Sequence, residues 1–336
     1  MIKRRGTKLV RVGGIKVGAG SPISIQSMTK VETSNISAVV SQMRRMKNAG
    51  CDIVRVAIKT VKDAEAVRGI KRRIDMPVVC DIHFDYRLAL KCIESGADKI
   101  RLNPGNIRKH DEIAQVVIAS KKRKIPIRIG INSGSTSEDF VKSAKRYIKI
   151  FEELDFRDII ISLKASDVAK TVEAYREMSG ICDYPLHLGV TASGPYDLGI
   201  VKSSIGIGAL LLDGIGDTIR VSLTADPVED IIAAKRILSS LNLRKFGPQI
   251  LSCPTCGRCQ VDLVGIVDKV DSAMRGIRGK QITIALMGCE VNGPGEAKEA
   301  DIGIAFGKSG GMLFKKGKII KRISVKDVIK ELIKNI

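Results

Sequence analysis

Short apolar runs recur along the first two thirds of the chain. They begin near Ile23 (ISIQSM), Ile53 (IVRVAI), Val78 (VVCDIH), Ile100 (IRLNPG), Ile127 (IRIGINSG), Ile159 (IISLKAS), Leu186 (LHLGVT) and Thr218 (TIRVSLT). Rich in β-branched residues and starting 22–32 residues apart, they read as strands. The segments between them, such as SAVVSQMRRMKNAG at 37–50 and DYRLALKCIESGAD at 85–98, carry the apolar period of amphipathic helices, and the second closes at Gly96, a residue suited to a helix C-cap. Eight strand–helix units predict an α/β fold, a TIM (β/α)8 barrel, over residues 1–244. A doubly wound open sheet is the alternative, but its usual strand count is lower and no GxGxxG follows the first strand. Residues 245–336 predict a small α+β domain, with an amphipathic helical pattern at 260–277 and a strand-like run ITIALM at 282–287.

Active-site groups of such a barrel gather at the C-terminal ends of its strands. The polar residues late in each run are Gln26, Ser27 and Thr29; Arg55; Asp81 and His83; Arg101 and Asn103; Arg128 and Asn132; Lys164 and Ser166; His187 and Thr191; Arg220 and Ser222. An Arg inside an apolar strand is costly unless an anion or a carboxylate meets it. Arg55, Arg101, Arg128 and Arg220 therefore predict either internal salt bridges or a polyanionic ligand. Asp81 and Asp98 are the acids expected to partner one or two of them, and a diphosphate would satisfy the rest through bidentate guanidinium forks. His83 and His187 read as core or supporting histidines, and Cys51, Cys80, Cys92 and Cys182 as small buried hydrophobes. The glycine-rich IGIGALLLDGIGD at 205–217 lacks the GK[ST] ending of a phosphate loop, so it reads as close helix packing.

The second domain holds a different chemistry. Cys253, Cys256 and Cys259 form a C-x2-C-x2-C run in CPTCGRC, and Cys289 and Glu296 follow in GCEVNGPGE. Thiolates on turns beside a carboxylate on a Pro/Gly loop suit a soft metal or an iron–sulfur cluster. Two ligand sets compete: Cys253, Cys256 and Cys289 with a replaceable Glu296, or all four cysteines as in an electron carrier. A zinc ribbon would need a second C-x2-C 15–20 residues on, and none follows.

Composition narrows the classes. Eight cysteines spread unevenly over 336 residues do not make a secreted disulfide scaffold, and a reducing cytoplasm is expected. The basic N-terminus has no apolar segment behind it and no stretch approaches 18 apolar residues, so neither export nor a membrane span is expected. A net charge of +21 suggests nucleic acid, but the lysines and arginines are scattered along helical segments such as KKRK at 121–124 and the tail from residue 315. With no Trp and 4% aromatics there is little to stack on bases, and no nucleic-acid partner is expected. The rival classes are a basic zinc-ribbon protein and a barrel transferase of the pteroate-synthase kind, which leaves the cysteines unexplained.

From about residue 7 to about residue 310, the segments QSMT, DIHFDYRLAL, IRLNPGNI, PIRIGINSGS, LKASD, LHLGVT, VKSSIGIGALL, GIGDTIRVSL, CPTCGR and GCEVNGPGEA occur in order. In these the chain resembles the 4-hydroxy-3-methylbut-2-enyl diphosphate synthase family in its two-domain bacterial form. The resemblance implies a [4Fe–4S] cluster held by Cys253, Cys256, Cys289 and Glu296, with Cys259 outside the ligand set. It implies reductive opening of 2-C-methyl-D-erythritol 2,4-cyclodiphosphate in the non-mevalonate isoprenoid pathway, with electrons arriving singly from a ferredoxin or flavodoxin. A homodimer with shared active sites is implied as well. On that basis Arg55, Arg101, Arg128, Lys164 and Arg220 would hold the diphosphate, Asn103, Asn132 and Ser222 would orient it, and Asp81 and His83 would assist proton transfer. The chain departs from the family pattern at Ala192, where LHLGVTASG replaces LHLGVTEAG and an acid/base glutamate is missing, and at Lys30, placed either to contact phosphate or to face solvent.

Overall fold

The computed structural model describes residues 2–103, 105–132, 134, 139–274, 277, 281–291, 295 and 300–336. The chain divides into two compact units, residues 1–244 and 245–336. The first opens with a hairpin, β1 (Val10–Val12) and β2 (Ile15–Val17), and continues as β3 (Ser24–Met28), α1 (Ile36–Ala49), β4 (Ile53–Ile58), α2 (Val61–Arg73), β5 (Val78–Ile82), α3 (Tyr86–Glu94), β6 (Lys99–Leu102), α4 (His110–Arg123), β7 (Ile127–Asn132), α5 (Phe140–Glu153), β8 (Ile159–Lys164), α6 (Val168–Ile181), β9 (His187–Leu188), α7 (Tyr196–Leu212), β10 (Thr218–Ile219) and α8 (Pro227–Ser240). Strands β3 to β10 form one sheet in the order β8-β7-β6-β5-β4-β3-β10-β9, parallel throughout, and a bridge between Ile161 and Leu186 joins its two edges. This is the predicted TIM barrel.

The strands alternate, and the alternation positions the site. In β4, Val54, Val56 and Ile58 are fully buried on one face while Arg55 lies on the other. In β6, Ile100 and Leu102 alternate with Lys99 and Arg101, and in β7 Ile127, Ile129 and Ile131 alternate with Arg128. The apolar set packs under the helices, so the polar set faces the barrel axis, where branched aliphatic residues are usual. The hairpin is an element that the sequence reading did not resolve. Val10, Val12 and Val17 form one buried cluster with Ile53, Val79 and Ile160, giving the barrel an apolar floor. At the opposite end, α1, α2, α3, α5, α6 and α8 each start on a capping side chain from the preceding loop: Asn35, Thr60, Asp85, Asp139, Asp167 and Asp226. Such caps satisfy backbone N–H groups that would otherwise be orphaned, and fix the strand-to-helix turns around the mouth.

The second unit contains β11 (Gln249–Ser252), α9 (Leu263–Met274), β12 (Thr283–Met287), β13 (Ile302–Gly307), β14 (Gly310–Lys315), β15 (Lys318–Ile323) and α10 (Val328–Asn335). The sheet runs β11-β12-β13-β14-β15, its first three strands parallel and its last two antiparallel. Leu263, Val270 and Met274 of α9 pack with Ile284, Leu286, Ile304 and Phe306 of the sheet and Leu332 of α10. Of the tail expected to be helical, residues 328–335 form α10, but residues 315–323 belong to the β14–β15 hairpin. Its turn holds Lys316 and Gly317 at φ 50° and 75°, a two-residue connection that suits the strand twist, and KIIKRI carries enough β-branched residues to continue as a strand.

Candidate active site

Register brings the barrel's charged groups together. Asp81 on β5 pairs with Arg101 on β6, which pairs with Arg128 on β7, so the three share a row facing inward. Arg101 donates to Asp81 at 3.0 Å through Nη1 and to the Gly130 carbonyl at 2.9 Å through Nη2. Arg55 Nε lies 3.8 Å from the other Asp81 oxygen and 3.0 Å from the Met28 sulfur. His83, with its side chain 45% exposed, approaches Asp81 at 3.4 Å. Arg128 donates to the Gln26 side-chain oxygen at 3.3 Å. Arg220 and Ser222 follow β10; the Ser222 carbonyl accepts from Ser193 Oγ at 2.5 Å. Asn103, buried after β6, accepts from the Gly105 N–H at 3.0 Å, and Asn132 and Lys164 end the paired strands β7 and β8. Two glycines clear room for cations. A Cβ at Gly130 would lie 2.4 Å from Arg101 Nε, and one at Gly189 would lie 2.5 Å from Lys164 Nζ.

The balance of charge is one-sided. Among the described residues the interior collects Arg55, Lys99, Arg101, Arg128, Lys164 and Arg220 against Asp81 and Asp230. Asp230, on α8, is already engaged by the Leu223 N–H at 2.9 Å and the Ser27 hydroxyl at 3.3 Å. Burial opposes ionisation of Asp81, but Arg55 and Arg101 more than offset it and hold the carboxyl far below the usual aspartate range. Burial, reinforced by neighbouring guanidinium groups, pushes Arg128 down to about 9 and moves Arg55 and Lys164 well below their ordinary values. Donor atoms Arg101 Nε, Arg128 Nε, Arg220 Nε, Lys99 Nζ and Gln26 Nε2 are buried without a hydrogen-bond partner among the described residues. An interior rich in unmet cationic donors is suited to an anion.

Several expectations change. Asp98 does not reach the arginines: it precedes β6, at the floor end, and binds Lys71 at 2.6 Å and the Val78 N–H at 2.7 Å. Its position at a strand's start, not its end, is the reason. Lys30 is exposed, as one of its two expected placements has it, but its ammonium does not stand free for phosphate, because it donates to the carbonyls of Leu223 and Ala225. Cys51, Cys80 and Cys92 are buried, whereas Cys182, at the end of α6, is only half-buried. Sequence reasoning missed Lys99, although the alternation Lys99, Arg101, Asn103 along one strand face was a readable signal. At the mouth, a cavity of about 490 Å3 opens beside Thr29, Glu32, Lys59 and Asp63.

In the second unit the thiols lie at the C-terminal ends of adjacent parallel strands. Cys253 follows β11 and its sulfur accepts from the Gly288 N–H at 3.3 Å, just before Cys289. Gln260 N–H donates to the Gly288 carbonyl, and Cys259 N–H to that of Cys256, each at 2.9 Å. Cys256 is exposed, Cys253 and Cys289 are half-buried, and the Cys259 thiol donates to the Val261 carbonyl at 3.2 Å. Glu296 and most of its NGPG loop lie outside the described residues. Among the described residues no three His, Cys, Asp or Glu groups converge on a single metal ion. A cubane cluster spreads its ligands over several corners, so that close convergence is not what it requires.

Fold and site together define a class: an α/β enzyme with a TIM barrel whose interior gathers buried cations in excess of carboxylates, followed by a smaller thiol-bearing unit. The chain belongs to the GcpE family, matching the GcpE TIM-barrel domain over residues 7–235 and the GcpE protein C-terminal domain over residues 249–336. A relative from Thermodesulfovibrio yellowstonii named 4-hydroxy-3-methylbut-2-en-1-yl diphosphate synthase (flavodoxin) is 52% identical over 348 positions, covering 100% of this chain and 99% of that protein. One of the same name from Fusobacterium nucleatum is 51% identical, covering 99% and 97%. Among solved structures, dihydropteroate synthase from Stenotrophomonas maltophilia matches with a TM-score of 0.55 at 12% identity, covering 70% of this chain and 98% of that one. The corresponding enzyme of Xanthomonas albilineans gives 0.52 at 11%, covering 70% and 98%. At such identity these two share the barrel fold alone.

Proposed function

We propose that the barrel binds 2-C-methyl-D-erythritol 2,4-cyclodiphosphate through its interior cations, and that the chain reductively opens and dehydroxylates it to 4-hydroxy-3-methylbut-2-en-1-yl diphosphate. The product is the one in the relatives' name. One observation carries the substrate reading: the excess of buried cations over carboxylates in the barrel, with guanidinium nitrogens that meet no partner among the described residues. Arg55, Arg101, Arg128, Lys164 and Arg220 hold the two phosphoryl groups and neutralise charge as the ring diphosphate leaves carbon, while Asn103, Asn132 and Ser222 orient it. Asp81 fixes Arg101 and Arg55, and His83, joined to Asp81 and open to the mouth, is placed to move a proton. Ala192 offers no carboxylate for that task, so the proton is assigned to the Asp81–His83 pair.

Cys253, Cys256, Cys289 and Glu296 would hold a [4Fe–4S] cluster. The donor set fits: Cys253 and Cys289 sit at neighbouring strand ends, Cys256 is exposed, and Cys259 is turned into its own carbonyl contact. When bound, the cluster would supply the electrons, with Glu296 as its replaceable ligand. The relatives' name supports a flavodoxin as donor. A homodimer with active sites shared between subunits and a cytoplasmic location complete the reading; the latter is supported by eight cysteines, none in a disulfide. No helix among the described residues is long and apolar enough to cross a membrane.

Anaerobic purification followed by iron analysis and turnover of the cyclic diphosphate with reduced flavodoxin tests the assignment. Brown protein with broad absorbance near about 400 nm, roughly four irons per chain and product formation are expected. A colourless zinc protein without turnover would sink it.

A further inference from the structure

Lys99, the first residue of β6, is 0% exposed, and its ammonium nitrogen has no hydrogen-bond partner among the described residues. Its register partner is Val79, part of the apolar floor, and two residues further along the same strand face stands Arg101. The amine therefore sits low in the barrel, beneath the guanidinium groups. Across from it, β9, β10 and β3 align His187, Thr218 and Ser24 in one row, with His187 Nδ1 3.3 Å from Thr218 Oγ1. His187 Nε2, Ser24 Oγ and Gln26 Nε2 likewise have no partner among the described residues. The floor thus holds several polar groups that meet no partner among the described residues, and an unpaired buried lysine is among the most costly groups a core can hold.

We propose that Lys99 is a further binding residue for the cyclic diphosphate, completing the enclosure of its charge from the floor of the barrel, and that it takes up a proton from solvent as the ligand enters. This rests on the barrel being the diphosphate site. Before binding, burial and then Arg128 and Arg55 favour the neutral amine. The charged and titratable groups around the same interior are Arg55 on β4, Asp81 on β5, Arg101 on β6, Arg128 on β7, Lys164 on β8, Arg220 after β10 and Asp230 on α8, together with His187 on β9, which burial holds toward its neutral form. An incoming dianion reverses the balance and makes the ammonium the favoured form. A cyclic diphosphate carries one strongly acidic hydroxyl per phosphorus and has no second ionisation near neutrality, so the proton goes to the protein. The sign follows: with the lysine neutral in the free enzyme and charged in the complex, affinity falls as pH rises between the two ionisation ranges.

The test is calorimetric titration of the full-length holoenzyme with 2-C-methyl-D-erythritol 2,4-cyclodiphosphate at about pH 8, in two buffers of different ionisation enthalpy. Lys99→Met and Lys99→Gln are compared with wild type and Arg101→Ala. The expected result is proton uptake by wild type, reduced by close to one proton in both Lys99 variants, with affinity at least about tenfold weaker in each. A wild-type uptake of zero overturns the proposal without recourse to any variant. Uptake and affinity unchanged in both variants also overturn it, and leave the proton to another interior group, Lys164 or His187. If Arg101→Ala also binds as wild type does, the failure belongs to the substrate site itself and not to its floor.

Discussion

Asp81 fixes the direction of Arg101 and Arg55, and those two guanidinium groups keep it ionised. Because its folded carboxyl titrates far below the ordinary aspartate value of about 3.9, its ionisation stabilises the fold above that pH and the contribution is lost as pH falls below it. Asp81→Asn is therefore expected to lower Tm at neutral pH, with the gap to wild type closing below about pH 4 in thermal melts. Substrate capture gives a second prediction. Arg101→Ala or Arg220→Ala should lower kcat/KM by about a hundredfold or more, whereas alanine substitution of Lys122 and Lys124, both exposed, should change it little. Equal losses at both places would favour diffuse electrostatic binding over a defined site. A third concerns the thiols. Cys259→Ser should retain iron and most turnover, since its thiol is engaged by Val261, while Glu296→Ala should assemble cluster but turn over slowly. The opposite pattern, read by iron content and activity, would move the ligand set to four cysteines.

At the scale of elements, neighbouring strands act as rulers for one another. The Asp81–Arg101–Arg128 row exists because β5, β6 and β7 pair in one register, and Gly130 leaves the space that the Arg101 guanidinium fills. Gly130→Ala should push that guanidinium from Asp81 and raise KM, with little change in secondary structure by circular dichroism. The hairpin β1–β2 supports the site from below. Val12→Ala would remove buried methyl groups from the floor and is expected to cost about 2 kcal/mol in denaturant unfolding. The short strands explain why this element was hard to see: three residues per arm give too little period to read, although the Gly13-Gly14 turn between them was a hairpin signal.

The molecule as a whole joins a cation-lined barrel to a thiol-bearing unit within one chain, and the proposed shared site is testable at this scale. A chain disabled in the barrel by Arg101→Ala, co-expressed with one disabled at the thiols by Cys253→Ala, should recover about a quarter of wild-type activity if active sites form between subunits, because mixed dimers then hold one intact pair. No recovery is expected if each chain works alone. The sequence by itself determined the eight strand–helix units, the second α+β unit and the strand-end arginines, because period and residue type are local properties of the chain. It also displayed the thiol spacing. Only the tertiary structure decided which acid meets which base: Asp81 joins Arg101 and Arg55, while Asp98, just as acidic in sequence, serves Lys71 at the other end of the barrel. Likewise Lys30 turned out to hold two carbonyls, and Lys99 to lie buried on the floor. Such pairings depend on strand register and barrel closure, which are set by contacts between residues far apart in the chain.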